Sequence, residues 1–169
     1  MNQVFLLEPY HANRGKRLIN SPKLYFRDTG LLSFLLGFDS ADALLRSAHL
    51  GAVWECFNLN QFFRHERATG SAGRVYFFHD VHANEVDFVF DHNGRLRLAE
   101  AKWTERPNES SARSILKIHH WLGAQAAYEH RLVCRTPHSH RLAVAPLVRA
   151  INAFRFWDWF GDDNLRKAA

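Results

Sequence analysis

The stretch NEVDFVFDHNGRLRLAEAKW, residues Asn84–Trp103, decides the fold that this chain is expected to adopt. Its two segments flank Asn93-Gly94, and this residue pair favours a two-residue type I′ turn between antiparallel strands. The stretch therefore predicts a β-hairpin in which His92 pairs with Arg95, and that pair fixes the register of both strands.

The predicted register gathers four ionisable residues into one patch. Asp87 is placed directly opposite Glu100, and Glu85 directly opposite Lys102. Because residues two apart on a strand share a face, all four side chains are predicted to lie on the same face of the hairpin. The other face is predicted to carry six further residues, namely Val86, Phe88 and Phe90 against Arg97, Ala99 and Ala101.

Two carboxylates opposite each other need a physical explanation. The Cβ atoms of such a pair lie about 4.5–5.5 Å apart, so the charges of Asp87 and Glu100 repel, and burial strengthens the repulsion. A proton or a divalent cation relieves it. Mg²⁺ (or Mn²⁺) binds one or two carboxylates together with waters and phosphate oxygens, so the pair predicts a metal site, with the Ala101 carbonyl as a further ligand. Lys102 would then hold the attacking water or stabilise charge in the transition state.

A third carboxylate, Glu55, lies in the predicted helix LGAVWECFNLNQFFRHE, residues 50–66. Its neighbours on that side of the helix are small or polar, so a helix packed on the sheet through that side would direct Glu55 toward the patch. We expect Glu55 to be an extra metal ligand or to lie just behind the ligands.

Around the hairpin, the order of helix, three strands, helix and strand predicts an α/β fold with a mixed sheet flanked by helices. Short strands are predicted at 4–8 and 24–26, and helices begin at Asp28 or Thr29 and at Asn108 or Ser110. Further strands are predicted at 130–135 and 141–146, a flexible break at 68–73, and a last helix at 147–160.

Composition and charge narrow the class of protein. The 169 residues are 47% hydrophobic and 23% charged, which is typical of a globular domain. There is no apolar segment of signal-peptide length at the start, and Cys56 and Cys134 are isolated, which predicts reduced thiols in a cytoplasmic protein. The net charge of +5 favours a polyanionic partner. The eleven histidines lack zinc-finger spacing with the cysteines.

The order helix Glu, strand Asp, then Glu-x-Lys on the paired strand resembles the PD-(D/E)XK nuclease superfamily. The resemblance maps onto Glu55, Asp87, Glu100 and Lys102. It implies a restriction-endonuclease-like fold and a Mg²⁺-dependent nuclease that hydrolyses nucleic-acid phosphodiesters, with DNA as the expected substrate. Asp87, Glu100 and Glu55 would hold the metal, Lys102 would position the water, and Glu85 would support Lys102 through a cross-strand contact.

A closer resemblance covers most of the chain. The stretches PYHANRGKRLINSPKLYFRDTGLLSFLLG, LGAVWECF, YFFHDVHANEVDFVF and RLAEAKW are similar to the C-terminal part of a family of bacterial and archaeal AAA-type ATPases. The phosphate-binding motif G-x-x-x-x-G-K-[ST] is absent here, so the ATPase part is not in this chain. The resemblance implies a connector at 1–40, a nuclease-like domain at 41–169, and a P-loop ATPase module as a partner.

Two other functions remain open from the sequence. One is a non-catalytic accessory domain that binds DNA or a protein for the ATPase. The other is a charge cluster with a structural role, in which Glu85 and Lys102 form a plain salt bridge and Asp87 pairs with an arginine. The intact set of acidic residues and lysine favours the nuclease over both.

Overall fold

The computed structural model describes residues 3–10, 21–69, 74–80 and 82–155. Two short strands come first and pair with each other, β1 (Val4–Leu7) and β2 (Lys23–Phe26). Three helices and then eight further elements follow in this order: α1 (Thr29–Leu35), α2 (Ala41–Leu45), α3 (Leu50–Thr69), β3 (Arg74–His79), β4 (Glu85–His92), β5 (Arg95–Ala101), α4 (Glu109–Leu122), a 3₁₀ turn (Gly123–Gln125), β6 (His130–Cys134), β7 (His140–Leu142) and β8 (Ala145–Asn152).

Six strands form one mixed sheet in the order β3-β4-β5-β6-β8-β7. The first three are antiparallel, β5, β6 and β8 are parallel, and β7 returns antiparallel to β8. Each face of the sheet carries a helix and its own apolar cluster. The α3 cluster includes Trp54, Leu59, Phe62, Phe88 and Phe90, and the α4 cluster includes Ile115, Ile118, Val89, Leu98 and Leu132. The predicted α/β class, with a mixed sheet flanked by helices, is confirmed.

The predicted hairpin is formed by β4 and β5. Asn93 and Gly94 both have positive φ, at 52° and 80°, as a type I′ turn requires, and His92 pairs with Arg95. The same register continues to the pair Phe88 and Ala99. The turn chemistry therefore fixed the strand register, as predicted.

The prediction that Val86 shares a face of the hairpin with Phe88 and Phe90 was wrong. Val86 belongs to the α4 cluster together with Val89, whereas Phe88 belongs to the α3 cluster, so strict alternation fails between Val86 and Phe88. The register between β3 and β4 shifts by one residue in the same place. A β-bulge explains both observations, since an extra residue in one strand turns the following side chains to the other face. Asp87 lies at this bulge.

The N-terminal hairpin, β1 with β2, packs against the main sheet. Leu7 and Tyr25 are buried in the α3 cluster. The backbone around Pro9 pairs with the outer strand β3, where Phe77 N–H donates to Glu8 and Phe77 C=O accepts from Tyr10. The segment predicted as a connector thus shares the core and covers part of the edge of β3.

The prediction of a last helix at 147–160 was wrong in its first half, because residues 145–152 form the strand β8. Val148 and Ala150 are buried while Leu147 and Arg149 are partly exposed, which is the alternation of a strand. Parallel pairing with β6 satisfies the backbone of this segment. The second half of that helix, 156–160, lies outside the described residues, as do the residues at 70–73 of the predicted break; α3 continues through Thr69.

The predicted starts of two helices are confirmed. The Asp28 side chain caps α1, and Asn108 caps α4 in a capping box with Ser111. Cys56 and Cys134 are both buried and free. In the parts of the chain that the structure describes, no helix combines the length and apolar character needed to cross a bilayer.

Replacing Gly94 by alanine tests the turn. No atom lies within 4 Å of the added methyl group, so the cost comes only from holding a residue with a Cβ at φ 80°. We expect G94A to lower the free energy of unfolding by about 1–2 kcal/mol in urea denaturation. The matched control is G51A in α3, which also meets open space but has ordinary helical φ, and it should be neutral or stabilising. Equal effects of the two substitutions would contradict the turn assignment.

Candidate metal centre

The four residues of the predicted acidic motif come from three elements and the residue after one of them. Glu55 lies in α3, Asp87 in β4, Glu100 in β5, and Lys102 follows the end of β5. Asp87 and Glu100 are only 5% and 6% exposed. Burial of two acidic side chains on adjacent strands is costly unless each finds a partner, so their contacts define the site.

Each of these two carboxylates has one strong contact. The Ala101 amide donates to Asp87 Oδ2 at 2.8 Å, and Lys102 Nζ lies 2.7 Å from Glu100 Oε1. The Lys102 amide donates to the Val133 carbonyl at 2.9 Å, which ties the residue to the end of β6. The Lys102 side chain therefore contacts Glu100 of β5, and its backbone is hydrogen-bonded to β6.

The carboxylates affect one another electrostatically. Burial, and then the charge of Asp87, raises the pKa of Glu100 to about 8, although Lys102 opposes the shift. Burial and Asp87 likewise raise the pKa of Glu55 to about 7 against the opposing charge of Lys23. Burial raises the pKa of Asp87 too, despite the hydrogen bond from Ala101. Without a further cation, Glu55 and Glu100 therefore take up protons more readily near neutral pH than an exposed glutamate does.

The donor set fits a hard divalent cation. Glu100 Oε2 is buried and has no hydrogen-bond partner, so one oxygen of the patch is left for another cation. Among the described residues, no three His, Cys, Asp or Glu side chains already form a metal-binding group. Mg²⁺ does not require three, because it binds one or two carboxylates and retains several waters. Asp87 and Glu100 are the pair that fits this requirement.

Two residues at the site were not predicted from the sequence. Lys23 of β2 forms an ion pair with Glu85 and lies 4.0 Å from Glu55 Oε2. The Tyr25 hydroxyl donates to the same Glu55 oxygen at 3.2 Å. Glu55 is therefore engaged by two residues of the N-terminal hairpin and is also close enough to Asp87 to feel its charge.

The expected contact between Glu85 and Lys102 is replaced by a different pairing. Glu85 pairs with Lys23, and Lys102 pairs with Glu100. The regular strand β5 ends at Ala101, so Lys102 no longer continues the ladder opposite Glu85. The one sequence signal for Lys23 was its spacing from Tyr25, which puts both on the inner face of β2, but nothing local shows where that face docks.

A pair of histidines elsewhere has a structural role. His130 is fully buried, its Nδ1 accepts the Leu98 amide, and its Nε2 lies 2.8 Å from His119 Nδ1. Because Nδ1 accepts, the proton of the neutral ring is on Nε2 and is donated to His119. Burial lowers the pKa of His130 to about 3, so this ring stays neutral.

Comparison with known protein families finds two matches in the chain. Residues 50–149 match the model of DUF4143, a domain of unknown function. The chain belongs to the DUF4143 family. Residues 1–42 match a second domain of unknown function, DUF8612. The motif residues thus lie in the DUF4143 part, whereas Lys23 and Tyr25 lie in the DUF8612 part.

Two mycobacterial relatives are uncharacterized. One is from Mycobacterium bovis and the other from Mycobacterium tuberculosis, and each is 38% identical over 148 residues. These residues make up 87% of this chain but 31% of either relative, so the chain spans about a third of their length. No solved structure matches the chain.

The raised pKa values predict how stability changes with pH in the absence of metal. Between the unfolded value of 4.5 and the folded values of about 7 and 8, the native state binds more protons than the unfolded state. The free energy of unfolding therefore falls as pH rises through this window. The lowered pKa of His130 makes the free energy of unfolding rise with pH below pH 6.5. The effect of the carboxylates is therefore measured above pH 6.5.

We expect the Tm in EDTA, followed by circular dichroism, to fall from pH 6.5 to pH 9. Glu100→Gln should flatten this fall, whereas Glu109→Gln, at an exposed position on α4, should leave it unchanged. Mg²⁺ should raise the Tm most at the alkaline end, where it does not compete with protons. A Tm that rises steadily with pH in EDTA would contradict the protonated state of the patch.

Proposed function

We propose that this domain is a metal-dependent nuclease that hydrolyses nucleic-acid phosphodiesters, with DNA as the substrate and Mg²⁺ or Mn²⁺ as the cofactor. One observation carries the proposal. Carboxylates from three separate elements, two of them buried, converge beside a lysine, and Glu100 keeps an oxygen without a protein partner. Such an arrangement costs stability and is explained by a bound cation and a phosphate.

Each residue has a distinct part in the proposed reaction. Asp87 and Glu100 hold the cation, which supplies charge neutralisation at the phosphate and a bound water of lowered pKa. Glu55, which accepts a hydrogen bond from Tyr25, is a further ligand or supports the two ligands from the next layer. The Lys102 side chain is 47% exposed although its ammonium group contacts Glu100, so it reaches both the metal ligand and an incoming phosphate. Lys102 positions the attacking water and stabilises negative charge on the non-bridging phosphate oxygens.

The arrangement of elements supports a restriction-endonuclease-like fold as the finer description of this α/β domain. The acidic helix residue, the strand aspartate and the Glu-x-Lys pair occur in the order of the PD-(D/E)XK pattern, on α3, β4 and β5. We also propose a P-loop ATPase module as a partner, on the sequence resemblance described above; the greater length of the mycobacterial relatives leaves room for one. The two buried free thiols support a cytoplasmic location.

A cleavage assay tests the proposal. Linear, circular and single-stranded DNA are incubated with the purified chain and Mg²⁺, Mn²⁺ or EDTA. We expect cutting only with metal, and a loss of roughly a hundredfold or more in Lys102→Ala, because that variant loses charge stabilisation in the transition state. Lys117→Ala is the matched control, since it removes a lysine from the exposed face of α4. Equal activity in both variants would assign the cutting to a contaminant.

The alternative functions give different results in the same experiment. Metal binding and steeply salt-dependent DNA binding without cleavage would favour an accessory domain. Absence of both metal binding and DNA binding would leave the charge cluster as a structural feature. Measuring Mn²⁺ binding beside cleavage therefore separates the three.

A further inference from the structure

Lys23 belongs to the carboxylate patch although it lies outside the acidic motif. Its ammonium group contacts Glu85 directly and lies 4.0 Å from Glu55. The side chain is 27% exposed, so it sits at the wall of the site rather than in open solvent. Electrostatically it also opposes the shift of Asp87, ahead of Lys102. Two cationic side chains therefore contact the acidic residues, Lys23 at Glu85 and Lys102 at Glu100.

Counting charges with Lys23 included changes what the site requires. The patch contains four carboxylates, Glu55, Glu85, Asp87 and Glu100, and two ammonium groups, Lys23 and Lys102. When all six are ionised, two negative charges remain, which is the charge that one divalent cation neutralises. Without Lys23, three negative charges would remain, and the site would attract cations more strongly.

The position of Lys23 is set by the folded body. Tyr25, two residues further on the same face of β2, is buried and bonds to Glu55. Opposite Lys23 on β1 lies Leu7, which is buried in the α3 cluster. Cys56 and Asn60 of α3 bond the backbone of Phe26. These contacts fix β2 against the rest of the domain and thereby fix the position of the Lys23 side chain.

We propose that Lys23 acts as a positioning residue whose charge limits the site to a single divalent cation and sets how tightly that cation binds. The inference rests on the metal site of the proposed function and extends it to the DUF8612 part of the chain. Residues of that part then contribute to the DUF4143 site, instead of only connecting it to what precedes it.

Mn²⁺ titration followed by electron paramagnetic resonance tests this inference on the full chain. The native protein should bind one Mn²⁺. Lys23→Met should bind Mn²⁺ roughly tenfold more tightly, because one nearby positive charge is removed, and Lys23→Arg should restore the native affinity. Tyr25→Phe is the matched control from the same strand, since it removes a hydrogen bond to Glu55 without changing charge, and it should shift affinity far less. Near-ultraviolet circular dichroism checks that each variant is folded, and Lys23→Gln serves as a second neutral variant.

The outcomes separate this inference from the proposed function. If the native chain binds one Mn²⁺ and the neutral variants bind it equally or more weakly, Lys23 only clamps Glu85, and the inference is overturned while the metal site stands. If the native chain does not bind Mn²⁺ but Lys23→Met does, the charge effect is supported directly. If neither binds at millimolar Mn²⁺, both the metal site and the role of Lys23 are refuted.

Discussion

The burial of Asp87 and Glu100 close to each other on adjacent strands is the constraint that the rest of the site depends on. Both side chains are buried, so neither is relieved by solvent, and the structure surrounds them with compensating groups. The Ala101 amide serves one and Lys102 the other. The oxygen of Glu100 left without a partner shows that the protein alone does not complete the compensation. A proton or a cation has to do so.

Much of this was predictable because it is locally encoded. Asn93 and Gly94 dictate the turn through their positive φ, and the turn dictates the register of the hairpin as far as the pair Phe88 and Ala99, next to Asp87 and Glu100. Helix starts at Asp28 and Asn108 were equally readable, since a side chain that caps its own helix needs no information from elsewhere in the fold. The α/β class followed from the order of the elements.

Features that depend on distant packing were missed. The segment with Val148 and Ala150 was assigned to a helix because a short apolar run has no unique period, and only its pairing with β6 makes it a strand. The bulge at Asp87 depends on how β4 pairs with β3, and the sequence of either strand alone does not predict that pairing. Lys23 is separated from Glu85 by 62 residues, and the docking that joins them is tertiary.

The place of Lys23 has a thermodynamic consequence for the N-terminal hairpin. Energetic coupling between two groups is reciprocal, so any reduction that the Lys23 charge causes in metal affinity is matched by an equal weakening of the Lys23 contact when metal is bound. A cation at Asp87 and Glu100 would then act as an effector of the hairpin. Its presence would then change the stability of the described residues of the hairpin, 3–10 and 21–26, through the contact of Lys23 with Glu85.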